Sequence, residues 1–409
     1  MKNQKPWYLI VNEHFVKKSP GGGDMSFAMY SSSKVDYGEH DSALKQYQER
    51  GTERALAMKN RGPVRYDPDG RLDQNILDEY RRNGFYVFTE VLKEEELVQL
   101  RNDVEEIWRR APQNQNSTTD SQGRPAIGLD CKSRNFSWVR PLSDPIGGTS
   151  FAHGRHPAKM IEPEVGEDAP EEILQILLGS LQFSDACLRI YGHPDLLRIA
   201  EAINGEDFVP FNESIWVKHP RLGGSVAWHQ DGFTHWDSPE LDGDTHGFNF
   251  MAQLYGCNAA NGLWVLPGSH LEGKVDIRKL VDDAKSDRIE GAVPLICEPG
   301  DVAICNRQAV HGSFANTSDD IRVTINMGFH RRSSVLNVVG GGIHNDVETY
   351  TEERIAHRSR LIGYAIDARK QEYPSEDSFV YTPMKEQHFV WDAAARESIR
   401  DYNLEDLGI

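Results

Sequence analysis

A chain of 409 residues with 38% hydrophobic and 9% aromatic residues can bury a sizeable core, which excludes global disorder and leaves room for one large elaborated domain or two. Asp and Glu number 63 against 45 Lys and Arg, and the resulting charge of −18 repels phosphate backbones, so no nucleic-acid partner is expected. Cys131, Cys187, Cys257, Cys297 and Cys305 are odd in number and show no CxxC spacing, so neither a disulfide framework nor a zinc knuckle is expected. The opening Met1-Lys2-Asn3-Gln4-Lys5 leads into no apolar signal core, and no stretch approaches the length of a membrane span. The expectation is a cytoplasmic protein with no membrane partner.

Residues 1–72 read as an N-terminal extension. Within it Tyr8 to Val11 suggests a short strand, Ser19 to Asp24 a turn, and Asp41 to Asn60 a polar helix. From Asp73 the pattern sharpens: Ile76, Leu77 and Tyr80 share a helical face, and Asn83-Gly84 stops it. Phe85 to Phe88 reads as a strand. Leu97, Leu100, Val104, Ile107 and Trp108 then recur at helical spacing as a buried stripe. Residues 111–170 have no sustained period. Within them Cys131 to Pro141 carries Lys132, Arg134, Trp138 and Arg140, a basic and aromatic cluster that is the candidate for a lid. Residues 171–204 read as two helices broken near Gly192-His193-Pro194. Strand candidates follow at Phe208–Lys218, Phe248–Tyr255, Leu263–Leu266, Val302–Cys305 and Val323–Phe329, and short strands between turn signals indicate a sandwich or barrel. After residues 73–335, the expected catalytic domain, the remaining 336–409 read as a C-terminal extension with a glycine run and a polar helix around Glu352 to Ala368.

The chemistry concentrates in two stretches. In Trp228-His229-Gln230-Asp231-Gly232 an imidazole and a carboxylate stand two apart, so on a strand they aim at one point. His311 offers a second imidazole. Two histidines and one carboxylate form the facial set that holds non-haem Fe(II) while leaving adjacent positions open. Arg322, eleven residues beyond His311, can grip a carboxylate bidentately, and Thr324 shares its strand face. This suits 2-oxoglutarate, whose distal carboxylate would lie against that pair. A second HxD, His235-Trp236-Asp237, competes with the first, and spacing alone does not separate them. The first follows the Lys218 strand and its turn at Gly223-Gly224. Pro239, Gly243 and several acidic residues follow the second and suggest a loop.

Five ordered blocks over roughly residues 75–335 resemble the phytanoyl-CoA dioxygenase family of Fe(II)/2-oxoglutarate oxygenases. They are Asn83–Phe88 with Leu92–Leu100; Lys218-His219-Pro220; Trp228–Gly232; Asn261–His270; and Pro299-Gly300-Asp301 leading to His311-Gly312-Ser313, Asn316-Thr317-Ser318 and Arg322. The resemblance implies a mainly β fold with flanking helices, built on a double-stranded β-helix, the jelly-roll or cupin-like core. It places His229, Asp231 and His311 on iron and favours the first HxD. It also puts Ser313, and either Gln253 or Met251, beside 2-oxoglutarate. The Pro267-Gly268-Ser269-His270 turn and His270 itself read as structural, and His235, Trp236 and His246 as pocket or surface residues. The implied activity consumes 2-oxoglutarate and O2, hydroxylates an unactivated C–H bond of a small organic metabolite, and releases succinate and carbon dioxide. With Asp231 present, halogenation is disfavoured. The acidic chain argues mildly against a CoA thioester, and a small polar or aromatic substrate is expected.

Two other classes compete. A jelly-roll metalloenzyme that does not use 2-oxoglutarate would leave Arg322 and Thr324 without a purpose. A catalytically silent binding module of the same fold would leave converging imidazoles and a carboxylate without a counter-ion.

Overall fold

The computed structural model describes Ser32, residues 34–342 and residues 345–409. The strand expected at Tyr8–Val11 and the turn at Ser19–Asp24 lie outside the described residues.

Helix α1 (Asp41–Ala57) follows the short strand β1 (Val35–Asp36) and leads through β2 (Arg61–Gly62) to α2 (Gln74–Asn83). The Asp73 carboxylate caps α2 by accepting from Asn75 N–H (2.8 Å), and Gly84, at φ 78°, ends it in the left-handed conformation that favours glycine. Strand β3 (Phe85–Phe88) and helix α3 (Glu94–Arg110) come next, the latter burying Leu97, Leu100, Val104 and Ile107 as its spacing predicts. Beyond the irregular stretch with β4 (Phe136–Val139) and β5 (Glu164–Val165), residues 171–204 depart from the two expected helices. Ile173–Leu178 is a strand, β6, and only then do α4 (Asp185–Tyr191) and α5 (Pro194–Asn204) follow. An apolar run of that length suits a buried strand as well as a helix. Pairing with β7 (Val209–Lys218) on one side and β4 on the other decides it.

The remaining strands are β8 (Val226–His229), β9 (Phe248–Gln253), β10 (Trp264–Val265), β11 (Val293–Pro294), β12 (Val302–Asn306), β13 (His311–Ser313) and β14 (Arg322–His330); helix α6 (Ile277–Ala284) lies between β10 and β11. They form two sheets. The larger runs β2-β3-β12-β9-β14-β7-β6-β4 and the smaller β11-β10-β13-β8, antiparallel throughout except for β2 beside β3. Consecutive strands thus alternate between sheets (β7 large, β8 small, β9 large, β10 small, then β12 large, β13 small, β14 large), which is the connectivity of a jelly roll. Further short pairings join β1 to β5, and β15 (Val339–Gly340) to β16 (Glu348–Thr349).

Strand alternation sets the two faces of the large sheet. On β14, Val323, Ile325 and Met327 enter the main core with Phe248, Phe250 and Ala252 of β9 and the apolar faces of the helices. Arg322, Thr324 and Asn326 point the other way, into a cavity shared with Asn249, Met251 and Gln253. Helix α7 (Glu352–Glu372), read as polar from sequence, buries Ile355, Leu361, Ile362 and Ala365; Leu361, Ile362 and Ala365 belong to this same core, together with Trp391 and, from α8 (Ala393–Ser398), Ala395. Its approach is so close that a Cβ on Gly192, at the end of α4, would lie 2.4 Å from the Ala365 carbonyl oxygen. No helix among the described residues is long and apolar enough to cross a membrane.

Candidate metal centre and its cavity

His229 is the last residue of β8 and faces His311, the first of β13, directly across the ladder. Its neighbour Trp228 turns to the opposite side, where the indole N–H donates to the Asp287 carbonyl (2.6 Å) within a separate apolar cluster. After His229 the chain leaves the strand. Asp231 N–H donates to the Arg307 carbonyl (2.7 Å), and Gly232 adopts φ 84°, with no room for a Cβ beside the His246 ring. These constraints aim the Asp231 carboxylate back at the two imidazoles.

The ring orientations follow from their hydrogen bonds. His229 Nδ1–H donates to the Ala227 carbonyl and His311 Nδ1–H to that of Ala309, each at 2.8 Å. With Nδ1 so engaged, both Nε2 lone pairs face inward. His229 Nε2 lies 3.6 Å from Asp231 Oδ1 and His311 Nε2 3.9 Å from Oδ2, and one atom from each residue can be chosen so that all lie within 4.8 Å of one another. Burial holds His229 well below the usual imidazole range, helped by His311 and His156. Burial works against ionising Asp231, but Arg307, then His311, His229 and Arg155, outweigh it and keep the carboxyl well below its usual range. Neutral imidazoles and an ionised carboxylate are the donor states a divalent cation requires, so two nitrogens and one oxygen on a cavity wall fit such an ion.

The cavity, about 910 Å³, lies between the two sheets, and Arg322, Thr324, Ser313, Gln253 and Met251 line it together with all three members of the triad. Arg322 Nη1 donates to the Asn261 carbonyl (2.8 Å), whereas its Nε is buried without a partner. Burial brings its pKa down to about 10, still charged at neutral pH. Thr324 Oγ1 donates to Gln253 Oε1 (2.9 Å), the residue directly opposite it on β9. Ser313 Oγ is buried with no partner. An unmet buried cation donor and an unmet hydroxyl are costly unless a ligand oxygen meets them, which fits an acidic co-substrate.

The second HxD lies elsewhere. His235 and Asp237 sit in the irregular segment between β8 and β9, where His235 Nε2 contacts the Ser334 carbonyl (2.8 Å). Among the described residues, His229, Asp231 and His311 form the group of three side chains that could hold a metal ion. Trp236 Nε1–H donates to the Gly232 carbonyl, His246 Nδ1–H to that of Asp231, and His270 Nε2–H to that of Arg81, all roles in holding backbone.

The lid requires a correction. Lys132, Arg134, Trp138 and Arg140 do not line the cavity; Arg140 pairs with Glu162, and only Ser137 and Val139 of that stretch reach the space. Residues of the 145–156 segment line it instead, His153 among them, with Arg155 reaching Asp231 and His156 lying against His229. Their signal was His153-Gly154-Arg155-His156, three basic or titratable side chains in four residues of an acidic chain. Asn249 and Asn326 were also missed, although each follows from strand alternation out of Gln253 and Arg322.

The rice (Oryza sativa subsp. japonica) protein phytanoyl-CoA dioxygenase 1 is 30% identical over 115 residues, 26% of this chain; the match spans 39% of the rice protein's length. L-proline trans-4-hydroxylase of Streptomyces griseoviridis is 24% identical over 193 residues, 41% of this chain and 72% of that protein. Among solved structures, AviO1 of Streptomyces viridochromogenes Tue57 superposes with a TM-score of 0.43 at 21% identity, over 64% of this chain and 95% of that one. EctD of S. alaskensis, solved with 2-oxoglutarate and 5-hydroxyectoine, gives 0.45 at 17%, over 67% and 81%. The sequence profile of phytanoyl-CoA dioxygenase (PhyH) matches residues 80–324, more than half of the chain and the span that holds every residue of the triad and of the Arg322 wall; this chain belongs to the phytanoyl-CoA dioxygenase family, whose enzymes use Fe(II) and 2-oxoglutarate.

Proposed function

We propose that this protein is a non-haem Fe(II)- and 2-oxoglutarate-dependent dioxygenase that hydroxylates an unactivated C–H bond of a small organic metabolite. In this reading His229, Asp231 and His311 hold the iron, and Arg322, with Thr324, Ser313 and Gln253, receives 2-oxoglutarate. When bound, iron with 2-oxoglutarate and O2 supplies the oxidising chemistry, and the co-substrate leaves as succinate and carbon dioxide.

The observation that carries the reading is that the triad and the Arg322 wall open into one cavity. The chain's own residues then do three things. The Ala227 and Ala309 carbonyls fix both imidazoles in the tautomer that presents Nε2. The buried guanidinium of Arg322 gives the distal carboxylate of 2-oxoglutarate a desolvated partner, and Ser313 Oγ is free to donate beside it. The apolar walls of the cavity limit water at the reacting centre.

A reducing compartment such as the cytoplasm suits the five cysteines, all of which are free thiols. The function is tested by adding Fe(II) and 2-oxoglutarate to anaerobic apoprotein. A weak visible charge-transfer band, followed by succinate on admitting O2, is expected; absence of both contradicts the reading.

A further inference from the structure

The segment over the triad bends sharply: Ala152 (φ 50°), His153 (φ 59°) and Gly154 (φ 70°) are successive left-handed residues, two of them not glycine. Two close ring pairs, one stacked and one tilted, hold the bend in place. His153 lies on Phe233 with centroids 3.9 Å apart, and His156 lies on His229 at 4.1 Å. Between them stands Arg155. Its Nε donates to the Ala152 carbonyl (3.1 Å) and its Nη1 to Asp231 Oδ1 (2.9 Å), and Asp231 is its sole carboxylate among the described residues.

Asp231 is already surrounded. Arg307 Nε lies 3.6 Å from Oδ2, and Asn249 Nδ2 donates to the same oxygen (3.2 Å). A divalent ion in the triad takes up the charge of that one carboxylate, so two guanidiniums and a dication then share a single anion. Like charges in a partly desolvated site are costly. 2-Oxoglutarate answers part of that excess at the metal, but its distal carboxylate is assigned to Arg322 on the other sheet. Arg155 is left facing the cavity, sharing its one carboxylate with Arg307 and the ion. Beside it His156 is almost fully buried, and its Nδ1 has no partner. Phe151, Ile146 and Phe233 supply an apolar surround.

We propose that Arg155, with His156 beside it, is the subsite for an oxyanion group of the primary substrate, a carboxylate or a phosphate, and so sets which C–H bond faces the metal. The assignment rests on the Fe(II)/2-oxoglutarate reading. It names an anionic substrate class, where the sequence reading expects a small polar or aromatic one.

The test uses binding rather than turnover. The anaerobic Fe(II) and 2-oxoglutarate complex of the full chain is titrated with hexanoate, hexanamide and hexyl phosphate, and perturbation of its visible band is followed with 2-oxoglutarate in excess. Displacement of 2-oxoglutarate abolishes the band, whereas occupancy of the subsite shifts it. In the wild type an anionic probe should act at about tenfold or more lower concentration than hexanamide, because a charge-assisted bond is worth at least that ratio. Arg155→Gln should erase the difference and Arg155→Lys should restore part of it. The tighter of hexanoate and hexyl phosphate identifies the source of the oxyanion. Equal action of all three probes, action of none, or discrimination that survives in Arg155→Gln overturns the assignment while the band itself stands. No band in the wild type overturns the 2-oxoglutarate reading and this assignment with it.

Discussion

Thr324 and Gln253 stand directly opposite each other on β14 and β9, and the Thr324 hydroxyl donates to the Gln253 amide oxygen at 2.9 Å. Two residues from Thr324 on the same face is Arg322, so one strand register places three polar groups on one wall of the cavity while Val323 and Ile325 enter the core behind them.

That wall makes the first prediction. Removing one partner of a desolvated charge pair costs about 2–5 kcal/mol. Arg322→Ala should therefore raise the apparent requirement for 2-oxoglutarate by orders of magnitude while iron content stays near that of the wild type. Succinate yield against 2-oxoglutarate concentration measures it, and an unchanged dependence would remove Arg322 from its role.

A second prediction concerns the turn that aims Asp231. Gly232 has φ 84°, and a Cβ there would lie 2.1 Å from His246 Nδ1. Gly232→Ala should cost about 1–3 kcal/mol of stability through backbone strain alone. It should also weaken iron binding, because Asp231 moves with the turn. Thermal unfolding and metal analysis report the two effects separately.

Part of this arrangement was legible in the sequence, because two-residue spacing on β14 forces Arg322 and Thr324 to one side. The choice between Gln253 and Met251 dissolves for the same reason: they share a face of β9, and both line the cavity. For His229 and Asp231 the expected convergence holds but its reason differs, since β8 ends at His229 and the turn at Gly232, not strand alternation, aims the carboxylate. Elements fixed by tertiary partners were not legible. Ile173 to Leu178 has no period that separates a buried strand from a helix until β7 and β4 flank it. The bend at Ala152 to Gly154 carries no periodic signal at all. On α7 the buried stripe includes Arg358, Ser359 and Arg369, so its inward face reads as polar.

Arg369 gives the C-terminal region a checkable role. Its Nη1 donates to Glu96 Oε1 (2.7 Å), and both side chains are buried between α7 and α3, with Glu376 completing the group. Arg369→Ala leaves Glu96 without its charged partner and should destabilise the fold by about 3–5 kcal/mol. Denaturant unfolding of Arg369→Ala and of the double variant with Glu96→Gln tests this, since removing both charges should recover part of the loss.

Acid sensitivity follows from His219, which is buried, with Nε2 3.2 Å from the Leu174 carbonyl. Burial lowers its pKa to about 4, whereas an unfolded imidazole titrates near about 6.5. Between those values the unfolded chain binds the extra proton, so acid favours unfolding there. Stability should be intact above about pH 6.5 and decline as pH falls towards about 4. His219→Gln should flatten the pH dependence of unfolding in that window; an unchanged slope would exclude His219 as a source.

The central claim is that the metal sits on His229, Asp231 and His311. His235 Nε2 is engaged by the Ser334 carbonyl (2.8 Å), and neither His235 nor Asp237 lines the cavity that holds His311, so the first HxD and not the second is assigned to the metal. The most direct measurement compares bound Fe(II) and 2-oxoglutarate-dependent succinate in two double variants prepared side by side. His235→Ala with Asp237→Ala should keep its iron and its uncoupled succinate formation, and His229→Ala with Asp231→Ala should lose both. The reverse pattern, or wild-type iron content in the His229 and Asp231 variant, would contradict the account.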